Sequence, residues 1–384
     1  MKKVGIITTF RQPNYGSVLQ AYALQKVIDG LGYDSELIDY IYPNSYHFER
    51  GLNWGKKYKK TPIQKVKYII RLFLECVSVL PFPKMKLLND FISNEMKCSK
   101  VYESYDVLHQ NPPVYDIYVS GSDQIWNPNT MLGDMSYMFD FAPLGSKIIS
   151  YSSSFSCDYI PDKYKEDYKK YLHRFYAISV RETNGQELVY ELIGKTNAQV
   201  VVDPTLLLDK DDWSSLAIKA KILRIPKKYI LCYKLAYTYN PDDKIIEMLH
   251  FVQREYNLPI VSLSRIENWN GGELISLFDG NFSIGIYEFL RLFKEASIVI
   301  TSSFHGTAFS LNFGIPFLSL SDGKSNSDDR ISSLLKKMGM ASQLITTNSV
   351  LNKDITPFYN INKEQNSLAI ARKSSIDFLT NALG

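Results

Sequence analysis

The chain has 384 residues, 45% of them hydrophobic and 22% charged, with a formal net charge of +4. That length exceeds what one hydrophobic core usually organises, so two domains are expected, and the composition is that of a folded globular protein rather than a disordered one. Cys76, Cys98, Cys157 and Cys232 are widely spaced without a CxxC pair, which argues against disulfides and a zinc site and for a reducing, cytoplasmic location. The uncharged run after Lys2-Lys3 is too short for a signal sequence, and no run reaches membrane-spanning length.

The elements begin with a strand over Val4–Ile7, a turn-rich loop over Thr8–Gly16 and a helix over Ser17–Leu31, whose apolar positions include Val18, Ala21, Leu24 and Ile28. Gly32 ends that helix and Ser35–Tyr40 is the next strand, so the chain opens as a Rossmann-like unit. The GxGxxG fingerprint is absent after the first strand, which argues against a dinucleotide; no cofactor and no metal are expected.

Residues 44–112 interrupt this rhythm and read as a helical insertion. Arg50–Arg71 holds eight basic residues (among them Lys56, Lys57, Lys59 and Lys60) and no acid, so the rest of the chain is net negative. Trp54, Tyr58 and Tyr68 are interleaved, and Tyr68–Leu80 reads as an amphipathic helix with Arg71 and Glu75 paired at i,i+4. The stretch is either a solvated helical excursion over the sheet or a functional basic surface.

The sheet resumes at Tyr115–Ser120, then Lys147–Tyr151, Ala177–Val180 and Gln199–Val202. Each short apolar strand runs into a polar or glycine-bearing turn: Gly121-Ser122-Asp123-Gln124, Ser152-Ser153-Ser154, Arg181-Glu182 and Asp203-Pro204-Thr205. If the strands are parallel, those turns share one rim, where ligands of open α/β sheets gather. Lys210–Lys228 reads as a linker, followed by strands at Tyr229–Ala236 and Pro259–Leu263 and helices near Asp242–Glu255, Ile286–Ala296, Asp329–Met338 and Lys363–Leu383. The expected domains are 1–215, 216–362 and a C-terminal helix over 363–384 that packs back across both.

Ser297–Leu320 is the most informative stretch. Ile298-Val299-Ile300 is a β-branched strand, Thr301–Gly306 a polar loop, and Thr307–Phe313 a helix stopped by Gly314 and Pro316 before the strand Phe317–Leu320. His305 sits where loop meets helix, beside Ser302, Ser303 and Gly306; a helix N-terminus offers N–H groups to an anion, and a histidine there can move a proton. Alone, such a segment is better explained as a helix cap holding a satisfied histidine.

Five motifs in order (Asn14-Tyr15-Gly16-Ser17, Gly121-Ser122-Asp123-Gln124, Ser179-Val180-Arg181-Glu182, Asp203-Pro204-Thr205 and Ser303-Phe304-His305-Gly306-Thr307) resemble the polysaccharide pyruvyl transferase family, in its branch with a Ser-Phe-His-Gly motif. Many members carry an arginine where this chain has Ser303. The resemblance implies an α/β protein of two Rossmann-like domains facing a cleft, as in GT-B glycosyltransferases. It implies phosphoenolpyruvate as donor and, as acceptor, a sugar or lipid-linked oligosaccharide of a bacterial capsule or exopolysaccharide.

Ketal formation needs an acid–base group and cationic clamps for carboxylate and phosphate. The implied catalytic residues are His305 and Arg181, a guanidinium being suited to a bidentate grip. Ser302, Ser303, Phe304, Gly306, Thr307, Lys324 and Arg330 would bind the donor in the C-terminal domain. Asn14, Tyr15, Gly16, Ser120, Gly121, Ser122, Asp123 and Gln124 would face the acceptor in the N-terminal domain, since Asp and Asn satisfy sugar hydroxyls well. No nucleic-acid partner is expected, whereas residues 50–80 suit a peripheral contact with the inner membrane face. Two rivals share the fold: a GT-B-type nucleotide-sugar glycosyltransferase and a non-catalytic glycan-binding protein.

Overall fold

The computed structural model of the chain describes residues 1–41, 84–194, 197–221, 223–235, 239–278, 284–323 and 329–384. The chain divides into two units, Met1–Leu207 with Ser374–Gly384, and Leu208–Lys373.

In the first unit, β1 (Lys3–Ile7) buries four residues in succession, as a parallel strand covered on both faces does. α1 (Tyr15–Gly30) starts on Asn14, whose side chain accepts from the Gly16 N–H at 2.9 Å. It ends ahead of Gly32, which takes up φ +89°. Then come β2 (Asp34–Tyr40), α2 (Lys84–Glu95), β3 (Cys98–Tyr102), α3 (Tyr105–Gln110), β4 (Ile117–Ser120), α4 (Pro128–Met131) and β5 (Lys147–Ser150). The sheet is wholly parallel in the order β3-β2-β1-β4-β5. After α5 (Asp162–Leu172), β6 (Ser179–Val180), α6 (Thr183–Ile193) and β7 (Gln199–Val200), the parallel β6-β7 pair continues the surface through bridges from Ile149 to Ala177 and Ser153 to Val180. Strand order reverses between β1 and β4, so the loops after these two strands meet at a topological switch point.

The second unit repeats the plan. α7 (Lys210–Ala217) leads to β8 (Ile230–Tyr233), α8 (Asp242–Tyr256), β9 (Ile260–Ser262), β10 (Leu274–Ser276), α9 (Ile286–Glu295), β11 (Ile298–Thr301), α10 (Phe304–Phe313), β12 (Phe317–Ser321), α11 (Asp329–Met338), β13 (Leu344–Thr346) and α12 (Ile361–Leu383). The parallel order is β10-β9-β8-β11-β12-β13, with its switch point between β8 and β11. The last turns of α12 belong to the first unit, where Ser375 Oγ accepts from the Val202 N–H at 3.1 Å. Among the described residues no helix is long and apolar enough to cross a membrane.

Three expectations need correction. The stretch 44–112 is not wholly an insertion, because β3 within it pairs with β2 at the sheet edge. Its sequence, CSKVY, buries only Tyr102, so it carries no apolar run to betray it. Residues 42–83, including Arg50–Arg71 and the whole of the membrane contact read from sequence at 50–80, lie outside the described residues. Lys210–Lys228 is not simply a linker: α7 begins in a capping box between Asp209 and Asp212 and buries Trp213 against Phe309, ring centroids 5.2 Å apart. The short strands β10 and β13 were not expected at all; with three residues each, neither displays a period.

Candidate functional site

At the first switch point the loops after β1 and β4 are in contact. A Cβ on Gly121 would lie 2.9 Å from Thr8 Cβ and 3.3 Å from the Ile7 carbonyl oxygen, so only glycine lets them approach. Thr8 Oγ1 donates to the Ser122 carbonyl at 2.7 Å, and Gln20 Nε2 donates to Thr8 Oγ1 at 2.9 Å. These bonds present Asp123 in a left-handed conformation, φ +76°, rare for a residue other than glycine. Its carboxylate accepts from Ser17 Oγ at 2.6 Å, Thr9 Oγ1 at 3.1 Å and the Gln124 N–H at 3.1 Å. The side chain is 15% exposed.

Behind Asp123 lies Arg181, at the end of β6, with 1% of its side chain exposed. Its Nη1 donates to Asp203 Oδ2 at 3.0 Å, and its Nη2 is 3.7 Å from Asp123 Oδ1. Burial alone would lower the Arg181 guanidinium, but Asp203, Asp123 and Glu182 outweigh it and hold the group above its ordinary range. Glu182 is buried too; its Oε1 accepts from Ser154 Oγ at 3.0 Å and the Phe155 N–H at 2.9 Å. That anchors a loop in which Ser152 and Ser156 have φ +57° and +46°. The rim is therefore polar and rich in carboxylate, a surface that suits hydroxyl groups better than a further anion.

At the second switch point, β11 ends in a turn locked by its own hydroxyls. Thr301 Oγ1 donates to the Tyr233 carbonyl at 2.6 Å and accepts from the Ser303 N–H at 3.0 Å. Ser302 Oγ donates to the Leu235 carbonyl at 2.9 Å and accepts from its N–H at 3.0 Å, extending the pairing of β11 with β8 through a side chain. Ser303 caps α10 by accepting from the Gly306 N–H at 3.3 Å. Thr307 Oγ1 donates to the Ser303 carbonyl at 3.1 Å and lies 2.7 Å from Ser319 Oγ. A Cβ on Gly306 would sit 2.2 Å from Thr301 Oγ1, so α10 starts as close to β11 as glycine permits. This brings His305, 5% exposed, onto the first turn of α10, at the positive end of the helix.

Each switch point holds part of the set that the sequence assigns to it. Asn14 and Gly16 are joined as cap and first turn of α1, Tyr15 is buried beside them, and Ser122 and Gln124 flank Asp123. Ser120 looks inward: its Oγ donates to the Tyr137 carbonyl at 2.7 Å and accepts from Trp126 Nε1 at 3.0 Å. Ser302, Ser303 and Thr307 use their hydroxyls to hold the turn, and Phe304 is buried against His305 with ring centroids 5.3 Å apart. Arg330 is buried at the start of α11, and Lys324 lies outside the described residues. Arg181 is committed to two carboxylates, a different employment from the anion clamp read from sequence. Thr8, Thr9, Ser17 and Asp203 had no assigned role. Asp203 stood in a quoted motif, but only the fold reveals what it holds.

Two parallel Rossmann-type units, each with a polar cluster at its switch point, define an α/β protein of GT-B-like class. The profile of the family described as "Polysaccharide pyruvyl transferase" matches residues 14–323, so the chain belongs to that family and is a transferase with a sugar or polysaccharide as acceptor. Solved structures agree on the fold. UDP-N-acetylglucosamine 2-epimerase from Rickettsia bellii is 13% identical, covering 99% of this chain and 96% of its own, with a TM-score of 0.51. The S. aureus MnaA–UDP co-structure is 12% identical, covering 97% and 88%, with a TM-score of 0.50. No curated protein matches the chain.

Proposed function

We propose that the chain transfers the pyruvyl group of phosphoenolpyruvate to two hydroxyls of a sugar, forming a ketal during assembly of a cell-surface polysaccharide. The reaction protonates the donor's methylene carbon and adds one hydroxyl to C2; phosphate then leaves and the second hydroxyl takes its place, releasing its proton. His305 is the group that delivers the methylene proton. The α10 N-terminus, with Arg330 and Lys324, attracts the donor's carboxylate and phosphate. Asp123 receives a hydroxyl proton on the acceptor side, where the neighbouring carboxylates disfavour the donor anion. The observation that carries this reading is His305 on the first turn of α10, inside the family match, at a switch point.

Phosphate release from phosphoenolpyruvate in the presence of candidate sugars, with the ketal methyl group followed by NMR, tests it. His305→Ala is expected to keep the fold and lower turnover by about two to four orders of magnitude. A folded His305→Ala protein that releases phosphate at the wild-type rate would overturn the assignment. Thermal stabilisation by a nucleotide sugar without any use of phosphoenolpyruvate would overturn the reaction itself.

A further inference from the structure

Three strand ends in the first unit carry a row of charge that has one exposed member. Asp203, after β7, is fully buried and its carboxylate is saturated. Oδ2 accepts from Ser122 Oγ at 2.9 Å and Arg181 Nη1 at 3.0 Å; Oδ1 accepts from the Thr205 N–H at 3.0 Å and Thr205 Oγ1 at 2.7 Å. It cannot reach a substrate. Arg181 stands between Asp203 and Asp123, itself buried, and Asp123 alone of the three opens to the outside. The backbone keeps them in line: the Ser154 N–H donates to the Asp123 carbonyl at 3.0 Å and the Arg181 N–H to the Ser153 carbonyl at 3.2 Å.

A buried ion pair seldom stabilises a fold better than apolar side chains of the same size would, so three charges kept in a row call for another reason. We infer that Asp203 and Arg181 are positioning residues: Arg181 holds the Asp123 carboxylate charged, and Asp203 fixes the guanidinium so that this carboxylate stays aimed at the rim for the hydroxyl of the acceptor. The inference rests on the acceptor role proposed for Asp123. Asp203 neutralises part of the guanidinium and fixes its fork through Nη1, leaving Nη2 toward Asp123. Among the described residues, the charged groups acting on Arg181 are Asp203, Asp123 and the buried Glu182, which follows Arg181 and is bonded to the loop after β5.

The test reads Asp123 directly, without substrate. In protein labelled with [4-13C]aspartate, the Asp123 carboxyl resonance is identified by its loss in Asp123→Asn and titrated in wild type, Asp203→Asn and Arg181→Gln. Removing the positive charge should raise the Asp123 midpoint by a pH unit or more. Removing the Asp203 charge should move it the other way, because Arg181 is then left to Asp123 alone. Asp203→Asn is isosteric and keeps an oxygen for Thr205, so it serves even if Arg181→Gln fails to fold. An unmoved midpoint in Asp203→Asn, with only a lower melting temperature, would reduce the pair to packing and overturn the inference. If the midpoints shift in opposite senses but phosphoenolpyruvate is never consumed, the pair stands and only the proposed reaction falls.

Discussion

Lys84, the first residue of α2, places its ammonium 3.8 Å from the centroid of the Tyr15 ring. Burial pushes its amine down from 10.5 to about 8. A displacement of that size corresponds to about 3 kcal/mol against the charged form, whereas the ring returns about 1 kcal/mol, so desolvation wins. Because the folded value lies below the unfolded one, the unfolded chain binds the extra proton between pH 8 and 10.5, and stability rises with pH across that window. Lys84→Met should therefore raise the melting temperature most at pH 7, with the gain shrinking to nothing above pH 10.5. A gain that is constant with pH would contradict the burial argument. The thiols tell a similar story: burial pushes Cys98, Cys157 and Cys232 up to about 12. In a Cys76→Ser background, native protein at pH 8 should take up little iodoacetamide, and unfolded protein should label at all three.

At the scale of the element, α10 shows how much a close approach can demand of one position. Gly306→Ala would push a methyl group onto Thr301 Oγ1, which cannot yield without losing its bonds to Tyr233 and Ser303. The expected loss is about 1–3 kcal/mol in urea unfolding, the usual range for overpacking. Gly30, at the end of α1, has nothing within 4 Å of its would-be Cβ, so Gly30→Ala should gain about 0.4–1 kcal/mol. Equal effects of the two substitutions would disprove the contact. The β11-α10-β12 step could be read from the sequence because its signals are local: a β-branched run, Ser303 as cap, and Gly314 at φ +70° as stop. β3 could not, since an edge strand with one buried side chain has no pattern to show. The start of α7 could have been found, because Asp209 and Asp212 stand three apart in front of Trp213 and form a capping box.

For the whole molecule, the sequence reveals two parallel-sheet halves and names Asp123 and His305 as their switch-point residues, since both follow strands and bear chemistry. It could not reveal that Arg181 is taken up by Asp203, a contact across 22 residues that only the sheet brings about. Charge is the other property visible at this scale. The eight positive charges of Arg50–Arg71 in a chain of net charge +4 predict weak, salt-sensitive sedimentation with anionic vesicles. Charge reversal at Lys56, Lys57, Lys59 and Lys60 should abolish it, and no pelleting at low salt would dismiss the idea.

The passage of α12 from one unit to the other bears on how the chain matures. Leu379 and Leu383 are fully buried, Leu383 accepts from Lys147 Nζ at 3.1 Å, and Ser375 is bonded to Val202. A ribosome delivers these residues only after the whole of the second unit, so the unit begun first is completed after the other. Until the final turns of α12 leave the ribosome, the nascent first unit keeps an apolar face unsealed. A chain stopped at residue 373 should emerge with its second unit whole and its first unit dependent on chaperones, a difference that protease digestion of the stalled product would display.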